Sequence, residues 1–255
     1  MIELLQVSKR YGGETVVDRV SFLVEAGETL VLLGGSGSGK TTTLKMINRL
    51  IEPDSGTILV EGRSVAETPP PRLRRRIGYV FQQLGLFPHL TVAENIGVTP
   101  TLLGWEPRRI QKRVESLLEL VELDPVGMAA RLPHELSGGQ AQRVAVARAL
   151  AAEPPVLLLD EPFAALDPLT RERLQESFCR IRQKLGLTAV FVTHDLVEAM
   201  VVGDRVAVMK EGRLLQVGTL SDLASNPADP YVEELLAAPL RQAALVTAKL
   251  RGHRA

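Results

Sequence analysis

The octet GGSGSGKT, residues 34 to 41, lies between the apolar run TLVLL and the helix-like run TTTLKMINRL, and four of its eight residues are glycine. The pattern GxxxxGK[ST] between a strand and a helix marks a phosphate-binding loop. Its glycines let successive backbone N–H groups turn inward around a polyphosphate, and the helix that follows adds the positive end of its dipole. Lys40 brings a compact cation for the outer phosphates, and the Thr41 hydroxyl is placed for Mg²⁺. A second cluster, VLLLDE, ends an apolar strand in Asp160 and Glu161, at the carboxyl edge where parallel sheets collect ligands. Asp160 is expected to hold Mg²⁺, mostly through water, and Glu161 to orient or deprotonate the water attacking the terminal phosphate. Third, LSGGQ (136–140) opens the helical AQRVAVARALAA, with Ser137 as a good N-cap and two glycines keeping the backbone open. This reads as a second anion-binding helix start without a phosphate of its own.

These clusters need elements to position them. VSFLV, TLVLL and TILVEG read as strands and, with MIELLQVSKRY, predict an antiparallel layer at the N-terminus. IGYVF (77–81) is another short apolar run. From about 88 to 152 the texture turns helical, through VAENIG, RRIQKRVESLLELVEL and AQRVAVARALAA. Then VLLLD, TAVFVTHD and RVAVMKEGRLLQVG return as strands, separated by the helical LTRERLQESFCRIRQKLG and DLVEAMVV. Continuous apolar strands alternating with helices imply a parallel sheet covered on both faces. The fold class is α/β: a nucleotide-type core interrupted by a helical insertion.

Bulk properties exclude several alternatives. The 255 residues carry 30 basic and 30 acidic side chains, so no global charge draws the chain to nucleic acid. The basic segment TPPPRLRRR (68–76) is accordingly expected to be a solvated loop leading into a helix face. A single cysteine, Cys179, rules out an intrachain disulfide framework and suits a reducing compartment. The start, MIELLQVSKRYGG, lacks the pattern of a secretory signal. No window reaches the roughly 18 apolar residues of a membrane span. The chain is expected to be soluble, with any membrane partner a separate protein.

In their order along the chain, GKT, LSGGQ and VLLLDE resemble the nucleotide-binding subunits of ABC transporters, and the motifs span about residues 3 to 220. The resemblance implies a P-loop NTPase (RecA-like) parallel-sheet core, an N-terminal antiparallel β-subdomain and an inserted α-helical subdomain, with the ATPase domain over 1–238. It implies ATP as ligand, cradled by Gly34, Gly35, Ser36, Gly37, Ser38, Gly39, Lys40, Thr41 and Thr42. Ser137, Gly138, Gly139 and Gln140 of one subunit would close over the γ-phosphate held by the loop of the other. Tyr11 resembles the aromatic that stacks on adenine, against a strand-end tyrosine that packs locally. Gln82 resembles the glutamine that reaches Mg²⁺ and the attacking water; Gln83 is adjacent, and only the family alignment favours the first. Asp167 resembles an aspartate signalling between subunits, against a plain N-cap for the helix after Pro168. His194 ends a strand at the ligand edge and would donate to a γ-phosphate oxygen, whereas His89, His134 and His253 read as structural. Three departures touch no catalytic group: Gly35 where proline is frequent, which loosens the turn slightly, Ala141 after the signature, and Ala164 before the aspartate segment. No NKxD motif is present, which fits ATP rather than GTP.

Within that family, MINRLIEP, the paired glutamines before LGLFPHLT, and PHELSGGQ look most like ATPase subunits of bacterial importers for quaternary-amine osmoprotectants such as glycine betaine, choline and carnitine. Implied partners are a second copy, membrane permease subunits and, indirectly, an extracytoplasmic solute-binding protein, with no nucleic acid. The implied location is peripheral, on the cytoplasmic face of the cell membrane. Residues 239–255 read as a short helical tail, broken by Pro239, without appended regulatory domains. Rival readings are an importer of another solute, a non-transport ABC ATPase acting on DNA or ribosomes, and a P-loop kinase. LSGGQ before VLLLDE argues against the kinase.

Overall fold

The computed structural model describes residues 1–164, 166–239 and 241; all of the expected tail but Pro239 and Arg241 lies outside the described residues. At the N-terminus β1 (Ile2–Tyr11) and β2 (Glu14–Val24) form an antiparallel pair across the Gly12–Gly13 turn. Next, β3 (Thr29–Leu33) is buried at all five residues. The loop 34–39 leads into α1 (Lys40–Ile47). Two further strands, β4 (Ser55–Val60) and β5 (Arg63–Ser64), complete a four-stranded antiparallel sheet in the order β2-β1-β4-β5.

TLVLL departs from the expected N-terminal layer. As β3 it stands in the other sheet, because a strand apolar on both faces needs cover from both sides. Its Val31 and Leu33 belong to one hydrophobic cluster and Leu30 and Leu32 to the other. The basic segment keeps most of its arginines exposed, as expected, but is a short helix rather than a loop. It forms α2 (Pro70–Arg74), which buries Leu73, and Arg74 donates to the Asn48 and Arg49 carbonyls while Arg76 pairs with Glu61 at 2.6 Å. The cluster ties the end of α1 to the neighbouring sheet, because carbonyls left free at a helix terminus need donors.

Beyond β6 (Ile77–Val80) the chain is helical: α3 (Val92–Leu102), α4 (Pro107–Leu120), α5 (Pro125–Met128) and α6 (Gly138–Leu150). It then alternates through β7 (Val156–Asp160), α7 (Pro168–Leu185), β8 (Thr188–Thr193), α8 (Leu196–Val202), β9 (Arg205–Lys210), β10 (Arg213–Gly218) and α9 (Leu220–Ser225). A last helical stretch runs over 230–239. The six-stranded sheet has the order β10-β9-β3-β8-β7-β6. It is parallel except at β10, which folds back on β9 across Glu211 and Gly212, both at positive φ (49° and 78°) as a tight hairpin turn requires.

Register fixes where the site lies. Leu33 pairs with Thr193, Val192 with Asp160, and Leu159 with Val80. Four parallel strands therefore end at one level, and Gly34, His194, Glu161 and the segment carrying Gln82 all leave the sheet along its carboxyl edge. Beneath them the core is continuous: Leu157, Leu159 and Phe191 face α6 and α7, while Leu158, Val190 and Val192 face α1 and the antiparallel sheet. Each fully buried Leu, Val or Phe contributes about 1.5–3 kcal/mol, so the edge rests on a rigid base.

Candidate active site

The phosphate loop is shaped by two close approaches. At Gly39 the backbone is left-handed, with φ 94°, and a Cβ there would stand 2.6 Å from the Val16 carbonyl oxygen. At Gly34 a Cβ would fall 2.1 Å from the Met209 carbonyl oxygen, so the loop lies against the end of β9. Neither position admits a side chain. With Gly39 as N-cap, α1 starts without any side-chain cap, which leaves N–H groups of its first turn pointing at the loop. Lys40 curls over the loop: its Nζ donates to Gly34 O and Gly35 O, each at 2.8 Å, and to Ser38 Oγ at 3.2 Å. Its pKa is lowered by burial, which the carboxylates of Glu161 and Asp160 oppose.

The acids meet this loop across the sheet edge. Thr41 Oγ1 donates to Asp160 Oδ1 at 2.7 Å, and the Tyr79 hydroxyl donates to Oδ2 at 3.4 Å. Burial, with Asp160 alongside, pushes the Tyr79 phenol far above its ordinary range, so it stays a donor. Glu161 is held with φ 43°, a conformation costly for a non-glycine residue. Its N–H donates to Val192 O at 3.0 Å, which turns the side chain out of the strand line. Gln82 Nε2 donates to Glu161 Oε2 at 3.1 Å, and His194 Nδ1 lies 3.4 Å from the same oxygen. Lys40, Thr41, Asp160, Glu161, Gln82 and His194 thus form one cluster. One carboxylate beside one hydroxyl is a hard-oxygen pair suited to Mg²⁺, which keeps most of its waters. Among the described residues no group of three or more His, Cys, Asp or Glu could hold a metal.

The remaining predicted residues stand elsewhere. Ser137 caps α6: its Oγ accepts from Gln140 N at 3.3 Å, and Gln140 Oε1 accepts from Ser137 N at 2.9 Å. A Cβ on Gly139 would meet Thr170 Cγ2 at 2.8 Å, so the signature turn packs on the start of α7. Asp167 caps α7, accepting from Thr170 N at 3.1 Å, and its pKa is lowered by hydrogen bonding from Thr170. Tyr11 is exposed at the end of β1, with Lys9 Nζ 5.4 Å from its ring centre. Among the described residues no hydrogen bond links Ser137, Gln140, Asp167 or Tyr11 to the cluster at the sheet edge.

Several positioning groups escape sequence reasoning. Arg171 donates to the carbonyls of Phe163 (3.3 Å) and Leu166 (3.0 Å) and faces Asp195 at 3.9 Å, bracing the turn before Asp167 against the residue after His194. Arg148 donates to Leu84 O and Gly85 O, both at 2.6 Å, and buried Asn95 bonds the backbone of Phe87, Leu90 and Thr91. Together they fasten the loop after Gln82 to the helical insertion. Arg171 lies four residues after Asp167 on one helix, a spacing that could have flagged it. Arg148 and Asn95 offered no such local signal.

A family profile described as ABC transporter matches residues 17–164. The chain is 51% identical over 237 residues to the choline transport ATP-binding protein OpuBA of Bacillus subtilis, covering 92% of this chain and 62% of that protein. It is 47% identical over 234 residues to the glycine betaine uptake system ATP-binding protein YehX of Escherichia coli, covering 92% and 76% respectively. A dimeric structure of the ATP-binding cassette MJ0796, in a post-hydrolysis state bound to ADP and Pi, matches with a TM-score of 0.77 at 33% identity, over 86% of this chain and 99% of that one. The chain therefore spans 62% of the length of OpuBA. With the phosphate loop, the acidic strand end and the capped signature helix set on this fold, the chain belongs to the ABC transporter family.

Proposed function

We propose that this chain is the ATP-hydrolysing subunit of a bacterial importer, working as a dimer that clasps two Mg·ATP between the phosphate loop of one copy and the signature helix of the other. The observation that carries the reading is the convergence of Lys40 and Thr41 with Asp160 and Glu161 at one sheet edge. Lys40 would exchange its loop carbonyls for phosphate oxygens. Thr41 and Asp160 would hold Mg²⁺, which neutralises charge on the phosphates. Glu161, oriented by Gln82 and His194, would take the proton of the attacking water. Ser137 supports the two-copy arrangement: its oxygen already accepts from Gln140, while its O–H hydrogen remains to donate to an anion. Tyr11 is assigned to the adenine, Asp167 to contact with the second copy, and Gly34–Thr42 to the triphosphate.

The ATPase domain is assigned to 1–238 with the insertion at about 88–152. That insertion offers a surface for the permease. An apolar groove of about 1020 Å³ opens between α3, α4 and α5, with Leu102 and Val126 exposed along it. It adjoins the loop after Gln82, which Arg148 and Asn95 fasten to the insertion, so a load on the groove would reach Gln82 and Glu161. No helix among the described residues is long and apolar enough to cross a membrane. The transported solute is assigned to the quaternary-amine osmoprotectants, in line with OpuBA and YehX, and the location to the cytoplasmic face of the membrane. The test is reconstitution with the permease encoded beside the chain, in vesicles. Glycine betaine or choline delivered by its binding protein should raise ATP turnover severalfold. Stimulation only by amino acids or anions would reassign the solute, and no ATP turnover at all would end the reading.

A further inference from the structure

Unlike proline, Gly35 has a backbone N–H, and the structure gives it a partner 196 positions away. Gly35 N donates to the Tyr231 hydroxyl at 3.2 Å. The carbonyl of the same peptide group, Gly34 O, accepts from Lys40 Nζ at 2.8 Å. One peptide plane between two glycines is thus held at both ends, by the catalytic lysine on one side and by Tyr231 on the other. Glycine on both flanks makes that plane the easiest in the loop to turn over.

Tyr231 is itself fixed. Its N–H donates to Asp229 Oδ1 at 2.8 Å, its ring packs on the main core, and Lys210 Nζ stands 4.9 Å from the ring centre. The next residue, Val232, is fully buried. Upstream, Gln216 on β10 clamps the turn, donating to Asn226 O at 3.0 Å and accepting from Ala228 N at 2.8 Å.

We infer that Tyr231 is a positioning residue for the phosphate loop: its hydroxyl locks the Gly34–Gly35 peptide, so the helix 230–239 governs how Lys40 is presented to nucleotide. The inference rests on the ATP reading above and adds a regulatory handle to it. Any contact that shifts the helix is felt in the loop. Because Gly35 is exposed, water replaces the hydroxyl when it is removed, and the loss is one of order rather than of folding.

The test compares the full chain, Tyr231→Phe, Gly35→Pro and the double variant by ATP calorimetry and by amide exchange over residues 33–41. Tyr231→Phe should weaken ATP binding about three- to tenfold and speed exchange in the loop. In the Gly35→Pro background, where the donor is gone, the same substitution should change neither reading. Equal affinity and exchange in the wild type and Tyr231→Phe would overturn the inference, as would the same loss with and without the Gly35 N–H. If Gly35→Pro abolishes binding by itself, the exchange comparison between wild type and Tyr231→Phe decides. A wild-type chain with no affinity for ATP would sink the proposed function, and loop exchange would still report on the Tyr231 contact.

Discussion

Two helices start at glycine-rich segments, and they start differently. α1 follows Gly39 and has no side-chain cap, whereas α6 follows Ser137 and closes a reciprocal capping box with Gln140. At α1 the N–H groups are left to the loop and to whatever anion the loop holds. At α6 two N–H groups, those of Ser137 and Gln140, are already satisfied within the chain, which leaves a hydroxyl hydrogen and two glycines. On the proposed function, the first is a site by itself and the second is half of one. Lys40, Thr41, Asp160 and Glu161 of the same chain stand around the α1 start, whereas among the described residues no charged side chain hydrogen-bonds to Ser137 or Gln140.

Substitutions at the acidic strand end and at the two helix starts test that contrast. Glu161→Gln should lower ATP turnover by about 10²–10⁴-fold while retaining affinity, the span general-base removal usually covers. It should also trap a nucleotide-bound dimer in size-exclusion chromatography; rapid turnover by this variant would remove Glu161 from its role. Lys40→Ala should reduce ATP affinity by about 100-fold, as expected for losing more than one charge-assisted hydrogen bond. Calorimetry showing unchanged affinity would mean that α1 is no more an anion site than α6. Ser137→Ala should cost about 1 kcal/mol of stability through the lost cap. It should leave ATP affinity of the monomer intact and slow turnover in the dimer. A variant that loses monomer affinity would place Ser137 in the first site and erase the distinction.

The smallest effect concerns α8, capped by Asp195, where Glu198 is buried and accepts from Gln175 Nε2 at 3.2 Å. Burial raises its pKa from the ordinary 4.5, so the folded state keeps the proton longer than the unfolded chain does. Stability from this group is therefore complete below the ordinary value and declines as pH rises through the folded one. Glu198→Gln keeps an acceptor and removes the charge. It should melt higher than wild type at neutral pH, by about 2–4 °C per kcal/mol relieved, with the gap closing in acid. A constant gap across pH would place the effect in packing instead.

Most of the fold was legible because period and burial agree. The runs VLLLD and TAVFVT are apolar at nearly every position and became central strands, and RRIQKRVESLLELVEL became α4. TLVLL was placed in the wrong sheet because neighbours in sequence suggested an antiparallel partner, while burial on both faces outweighed proximity. The basic run at 72–76 is largely exposed, as its composition suggested, but a local composition rule cannot see the free carbonyls of α1 that Arg74 meets. The same reason hid Tyr79, whose phenol reaches Asp160 from another strand, and Arg148, which reaches a loop 63 residues away.

By itself the sequence determined the chemistry on offer: a glycine-rich loop, a lysine and a threonine at a helix start, two acids at a strand end. These are local requirements, met by residues adjacent in the chain. What tertiary structure decided is their mutual geometry. Strand register set Thr41 2.7 Å from Asp160, and a helix 196 residues downstream came to hold Gly35. Distance between parts of a chain is set by packing, and packing depends on every buried face at once.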